Sequence, residues 1–168
     1  EAWSVVAGSA GGERIIAQAE NVMSRLNTQS TGGGRSGRRD RLSSRPLFTI
    51  APLVLAECIE NSGRFVPLIE KSIRDYAAFP TWVSGRNLSR WSKIDGVIVG
   101  IDLSAAQSAW NLATIYYWLG DRLSEETREL IRNELESRIF IPFEGSVLED
   151  FPNCWWLKGR NKNNWNPV

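Results

Sequence analysis

The stretch from Asp102 to Ile139, DLSAAQSAWNLATIYYWLGDRLSEETRELIRNELESRI, constrains the fold more than any other part of the chain. It contains a helix cap, an apolar helical run, a glycine stop, a second cap and a second apolar run. Asp102 stands where a carboxylate accepts the first free N–H groups of a helix over 103–119. Gly120 stands where such a helix leaves right-handed geometry. Ser124 caps the next helix, whose apolar stripe is Leu130, Ile131, Leu135 and Ile139. The acidic residues of its first turn favour the positive end of the dipole, and Pro142 is expected to end it. Helices joined this closely lie side by side as an αα-hairpin.

The same grammar recurs upstream. Residues 46–62 read as a helix with Pro46 in its first turn, Ser43 or Ser44 as cap and Gly63 as stop. A partner helix follows from about Phe65 to Ala78, with Pro67 in its first turn. A leading helix covers 11–28, with Ile15, Ile16, Ala19, Val22, Met23 and Leu26 on one face. No strand ladder is evident. The expected class is all-α, built from antiparallel hairpins that each bury one face and need neighbours, as in a solenoid or toroid. Residues 1–168 are read as part of one such domain. Three stretches fall outside the helices: a flexible Gly/Arg loop at 30–44, an irregular connection at 80–101 carrying Trp82 and Trp91, and an aromatic loop at 143–168. Long connections of this kind are often functional. A domain rarely closes on so aromatic a stretch, so the polypeptide is expected to continue past Val168.

Composition removes several functions. With 20 basic and 19 acidic residues the net charge is +1, which argues against nucleic-acid binding driven by bulk charge. The local cluster Arg35, Arg38, Arg39, Arg41 and Arg45 reads as a solvated loop or, alternatively, a polyanion contact. No apolar run is long enough to span a membrane, and no signal peptide is visible. The chain has no histidine and two cysteines, Cys58 and Cys154. A Ser-His-Asp triad is therefore impossible within it. A zinc site is disfavoured, and no metal or cofactor is expected in this segment. Cys58 sits in an apolar helical pattern and reads as core.

The end of the chain carries the most chemistry. Trp155, Trp156 and Trp165 are mixed with Lys158, Arg160, Lys162 and the asparagines of NKNNWN. Flat apolar faces beside amide and guanidinium donors suit a hydroxylated, anionic ring such as an acidic sugar. The bland alternative makes Trp155 and Trp156 core residues and the asparagines turn caps. Asp95, Asp102, Glu149 and Asp150 offer carboxylates for an acid–base pair. Asp102 is more economically a cap, and Glu149 and Asp150 are more economically surface charges. GGGRSG lacks the spacing and context of a phosphate loop.

Three stretches taken together resemble the heparinase II/III-like polysaccharide lyase family: RRDRLSSRPLFTIAPLVLAECIENSGRF (38–65), TWV (81–83) leading into 101–139, and GRNKNNWNPV (159–168). The resemblance covers roughly residues 38–168. It implies an incomplete (α/α) toroid followed by β-sandwich domains, a periplasmic or secreted protein, and β-elimination on uronic-acid polysaccharides of the glycosaminoglycan kind. Its implied partners are the acidic polysaccharide and the downstream domains, with neither nucleic acid nor membrane.

By the same resemblance Asn164 neutralises the substrate carboxylate, with Asn163 beside it as a catalytic residue. Trp165, Asn166, Arg160, Trp156 and, more remotely, Trp82 and Trp91 line the groove. Trp165 occupies the place of a catalytic histidine in related lyases, and SGRN (84–87) stands where the family has a histidine after TWV. The rival readings are a non-catalytic acidic-glycan-binding domain, a helical-repeat scaffold for protein partners, and a glycosidase on a similar toroid. Alone, the segment is expected to be inactive. Its tyrosines Tyr76, Tyr116 and Tyr117 fall in helical core patterns.

Overall fold

The computed structural model describes residues 2–31, 47, 49–84, 93–94, 97–98 and 101–148. Its helices are α1 (Ala2–Ala7), α2 (Ala10–Thr31), α3 (Ala51–Glu60), α4 (Val66–Ala77), α5 (Leu103–Leu119), α6 (Glu125–Leu135) and α7 (Ile141–Leu148). Lys93–Ile94 and Val97–Ile98 form a two-residue antiparallel pair, β1 and β2. The class is all-α, as expected.

The caps explain most helix ends. Asp102 accepts from Ser104 N and Ala105 N, so α5 starts where the sequence places it. Gly120 ends it at φ 47. Ser124 Oγ accepts from Thr127 N at 3.2 Å to open α6. Pro67 falls in the first turn of α4. α3 differs from expectation at both ends: it starts at Ala51, with Pro52 rather than Pro46 in its first turn, and it stops before Gly63. Asn61, at φ 52, is the residue that turns left-handed, two positions ahead of Gly63 at φ 79. Asparagine tolerates that region better than other side chains with a Cβ.

Helices stack as pairs. α3 packs on α4 and α5 on α6. Across the pairs α3 meets α5 and α4 meets α6, while α2 runs along α3 and α1 covers the α2–α3 seam. The core contains Leu53, Phe65, Ile69, Ile73, Leu112 and Ile131. Ala19 and Val22 seal it from α2, and Ile15, Ile16, Met23 and Leu26 pack on its margin. Cys58 is a buried free thiol in this core.

Two carboxylates brace the turns. Glu57, 0% exposed on α3, accepts from Gly63 N at 2.7 Å and Phe65 N at 3.2 Å. It thereby caps α4, supplying a buried anion to the positive end of that helix. Glu70 on α4 accepts from Ser124 N at 2.6 Å and does the same for α6. Burial raises the Glu70 pKa, but the Ser124 and Thr127 hydrogen bonds and Arg74 outweigh it and hold the carboxyl below its usual range. Arg122 completes the lock by donating to the Glu57 carbonyl at 3.0 Å.

Three expectations are corrected. Pro142 does not end helical structure, and the segment beginning at 143 is not all loop. A five-residue π turn, Glu136–Phe140, follows α6, and α7 then starts at Ile141 with Pro142 in its first turn, where no N–H is needed. An additional helix, α1, precedes the leading one. Tyr117 is 83% exposed rather than core, while Tyr76 is buried and Tyr116 half-buried.

Candidate functional site

Of the groove residues expected from the resemblance, only Trp82 falls within the described part, and of the candidate carboxylates only Asp102, which serves as a helix cap. Asn163, Asn164, Trp165, Asn166, Arg160, Trp156 and Trp91 lie outside the described residues, as do Asp95, Glu149, Asp150, Cys154, the arginine cluster and most of the 30–44 loop. Trp82 does not face a groove. It is 2% exposed, with its ring stacked on Tyr76 at 5.4 Å between centroids and an interplanar angle of 28°. The Arg138 guanidinium lies over its ring, 5.2 Å from the centroid. Residues 81–84 have no regular structure, yet burial against these partners makes the indole part of the interior.

A polar node surrounds this indole. The Tyr76 hydroxyl bonds Ser108, whose own Oγ donates to the Ser104 carbonyl at 2.8 Å. The serine proton is therefore committed, and the tyrosine donates. Burial pushes the Tyr76 pKa up to about 12. Asp102 adds a second function to its cap, because its Oδ2 accepts from Ser84 N at 2.9 Å. That bond fixes the connection leaving Trp82 to the start of α5. Arg138, from the π turn, donates to the Ala77 carbonyl at 3.0 Å and pairs with Glu134. Its Nη1 and the Trp82 Nε1 are buried without a hydrogen-bond partner.

A second feature lies on the surface between α3 and α5. A groove of about 290 Å³ is lined by Ala51, Val54 and Leu55 on one side and by Trp110, Asn111 and Trp118 on the other. Trp110 is 72% exposed. The side of Trp118 is braced by Trp3 of α1, with ring centroids 5.6 Å apart and an edge-on angle of 73°. The Asn111 carbonyl oxygen accepts from Gln107 Nε2 at 3.2 Å, which orients the amide. Its Nδ2 is buried and has no hydrogen-bond partner. Among the described residues, no charged side chain lines the groove.

Sequence reasoning missed this groove. The available signal was Trp110 and Trp118, two large aromatics on the side of α5 away from Ala105, Leu112 and Leu119. A helix apolar on both sides presents a face that its own core does not use. Arg138 and Glu57 were missed for a different reason: their partners are remote in sequence or are backbone groups. Among the described residues no three His, Cys, Asp or Glu side chains gather as a metal site, and no helix is long and apolar enough to cross a membrane. Comparison with known proteins gives no match to any family model, curated protein or solved structure.

Proposed function

We propose that the chain is part of the (α/α) toroid wall of a lyase that cleaves uronic-acid polysaccharides by β-elimination, of the kind its motifs resemble. The observation that carries this reading is the stacking of successive helix pairs, α3 on α5 and α4 on α6, an arrangement suited to a curved helical wall. The residues of GRNKNNWNPV supply the chemistry. Removing the C5 proton of a uronate builds negative charge on its carboxylate, and the Asn164 amide stabilises that charge as it develops. Asn163 and Asn166 support the same carboxylate, Arg160 adds a cationic donor, and Trp156 and Trp165 offer ring faces. Trp91 is a weaker groove candidate. Trp82 is not one, because its ring is enclosed. A base takes the proton and an acid protonates the leaving oxygen. Trp165 is not the base, since an indole nitrogen only donates.

The experiment is ultraviolet absorbance of the unsaturated uronate product. It uses the full-length polypeptide carrying these residues, with heparan sulfate, heparin, chondroitin, hyaluronan and alginate as substrates. A rising signal abolished by Asn164→Ala is the expected result. No signal on any polymer sinks the lyase reading. A non-catalytic acidic-glycan-binding domain is the second reading, favoured by the absence of histidine and by Trp165 at the histidine position. It expects binding of the same polymers without product.

A further inference from the structure

We propose that α1 is a hinged strap that opens as a unit about the Gly8–Gly12 corner and in opening bares the edge of Trp118 at the end of the α3–α5 groove. Isolated helices of fewer than about 12 residues are marginal in water, so the six residues of α1 depend on what they dock against. The docking is slight. Val5 is 80% exposed and Val6 only half-buried. The one large side chain on α1 is Trp3, half-buried on the margin of the core, and its ring meets Trp118 edge-on with 5.6 Å between centroids. Trp118 itself lines the groove and is 39% exposed.

The corner beside Trp3 combines a bendable backbone with a specific closed form. Three of the five residues from Gly8 to Gly12 are glycine. A Cβ at Gly8 would meet nothing within 4 Å, and one at Gly11 only Ser9 Oγ at 3.5 Å, so packing does not demand glycine at either place. What glycine supplies there is backbone freedom. Gly12 is different: it is buried, and the Val6 carbonyl oxygen closes on it. Ser9 latches that contact, since its hydroxyl donates to the Val6 carbonyl at 2.8 Å and accepts from Gly12 N at 3.1 Å. The latch ties the end of α1 to the start of α2. Beyond it α2 is rooted in the interior, with Ala19 and Val22 buried and Ile15 and Ile16 packed on the core. An opening that breaks the Ser9 latch and lifts Trp3 therefore stops at the corner, as local opening does where buried apolar contacts begin. With Trp3 lifted, the edge of Trp118 that it covered joins the groove, and an occupant that uses this edge would shift the strap towards its open form. The inference does not rest on the lyase reading or on Asn164.

The test measures native-state amide exchange and fluorine NMR on the full chain labelled with fluorotryptophan. The Trp3 and Trp118 resonances are identified by Trp3→Phe and Trp118→Phe. The expected result is that the Ser9 and Gly12 amides are at least about tenfold less protected than those of Ala19 and Val22. Trp3 and Trp118 should report one shared exchange process. Trp3→Ala should lower protection at Ser9 and Gly12 by about a further tenfold and leave Ala19 and Val22 unchanged. Gly8→Ala and Gly11→Ala restrict the hinge without a clash and should act in the opposite direction, raising protection at Ser9 about two- to fivefold. Equal protection of the two groups of amides overturns the proposal, because α1 would then open only with the core. So does a Trp3→Ala variant that loosens both groups alike, or an exchange process at Trp3 that Trp118 does not share. Gly8→Ala and Gly11→Ala variants that both leave Ser9 protection unaltered would remove the hinge.

Discussion

Replacing Glu57 with alanine tests whether the turn between α3 and α4 is held by one buried carboxylate. The side chain accepts two backbone N–H groups, from Gly63 and Phe65. Hydrogen bonds to a charged partner contribute about 1.5–3 kcal/mol each, and an orphaned buried donor costs about 1–3 kcal/mol. Gly63 is exposed, so its N–H can turn to water, whereas Phe65 is in the core. Removing a desolvated charge offsets part of the loss. The net expectation is about 3 kcal/mol of destabilisation, combining one lost charged hydrogen bond with one orphaned donor. For a chain of this size that lowers Tm by about 6–12 °C. Urea unfolding followed by circular dichroism measures it, with the midpoint falling and the slope unchanged. Glu57→Gln keeps one acceptor and should lose roughly half as much. A cost below about 1 kcal/mol for alanine, or equal costs for the two variants, would refute the capping argument.

Four further outcomes follow from the same structure. Glu70 has a lowered pKa, so its contribution is present above the ordinary value of 4.5 and fades as pH falls through the folded value; Glu70→Gln should flatten the acid limb of the stability curve below pH 4.5. Tyr76, pushed up to about 12 from 10, contributes stability that is intact below pH 10 and lost as pH rises towards 12; Tyr76→Phe should remove that alkaline loss while costing stability at neutral pH, about 1 kcal/mol for the Ser108 bond. Gly12→Ala should destabilise the α1–α2 corner, because an added Cβ would sit 2.2 Å from the Val6 carbonyl oxygen; faster amide exchange confined to α1 is the readout. Cys58, buried and with its pKa raised first by burial, should resist thiol reagents in a Cys154→Ser background until the chain unfolds.

What was legible in the sequence was whatever is decided locally. The bounds of α5 follow from Asp102 and Gly120, and the starts of α4 and α6 follow from Pro67 and Ser124, because a cap or a proline acts within one turn. Pro142 shows the limit of the same rule. A proline marks either the end of one helix or the first turn of the next, and only the chain after it decides. Trp82 was misread because its cover comes from other elements: Arg138 of the π turn and Tyr76 of α4 lie on its ring, and no spacing around residue 82 announces them. Glu57 sits in an apolar run where a charged residue ordinarily faces solvent. Only the turn formed by residues 61–65 brings two unpaired N–H groups to it.

The π turn at Glu136–Phe140 has a consequence for how such a chain tolerates change. The Ile141 N–H reaches back to the Glu136 carbonyl, so this turn holds one residue more than an α-helical turn would. One residue in a helix is worth about 100° of rotation. The surplus residue therefore turns α7, and with it Ile141 and Phe143, about a quarter of a revolution or slightly more relative to a continuous α6. Deleting a single residue here would leave α6 unaltered and swing those two side chains to a different bearing. The turn acts as a rotary vernier, through which a one-codon deletion would redirect the face of α7, at the cost of moving Arg138 off the enclosed Trp82 ring and the Ala77 carbonyl.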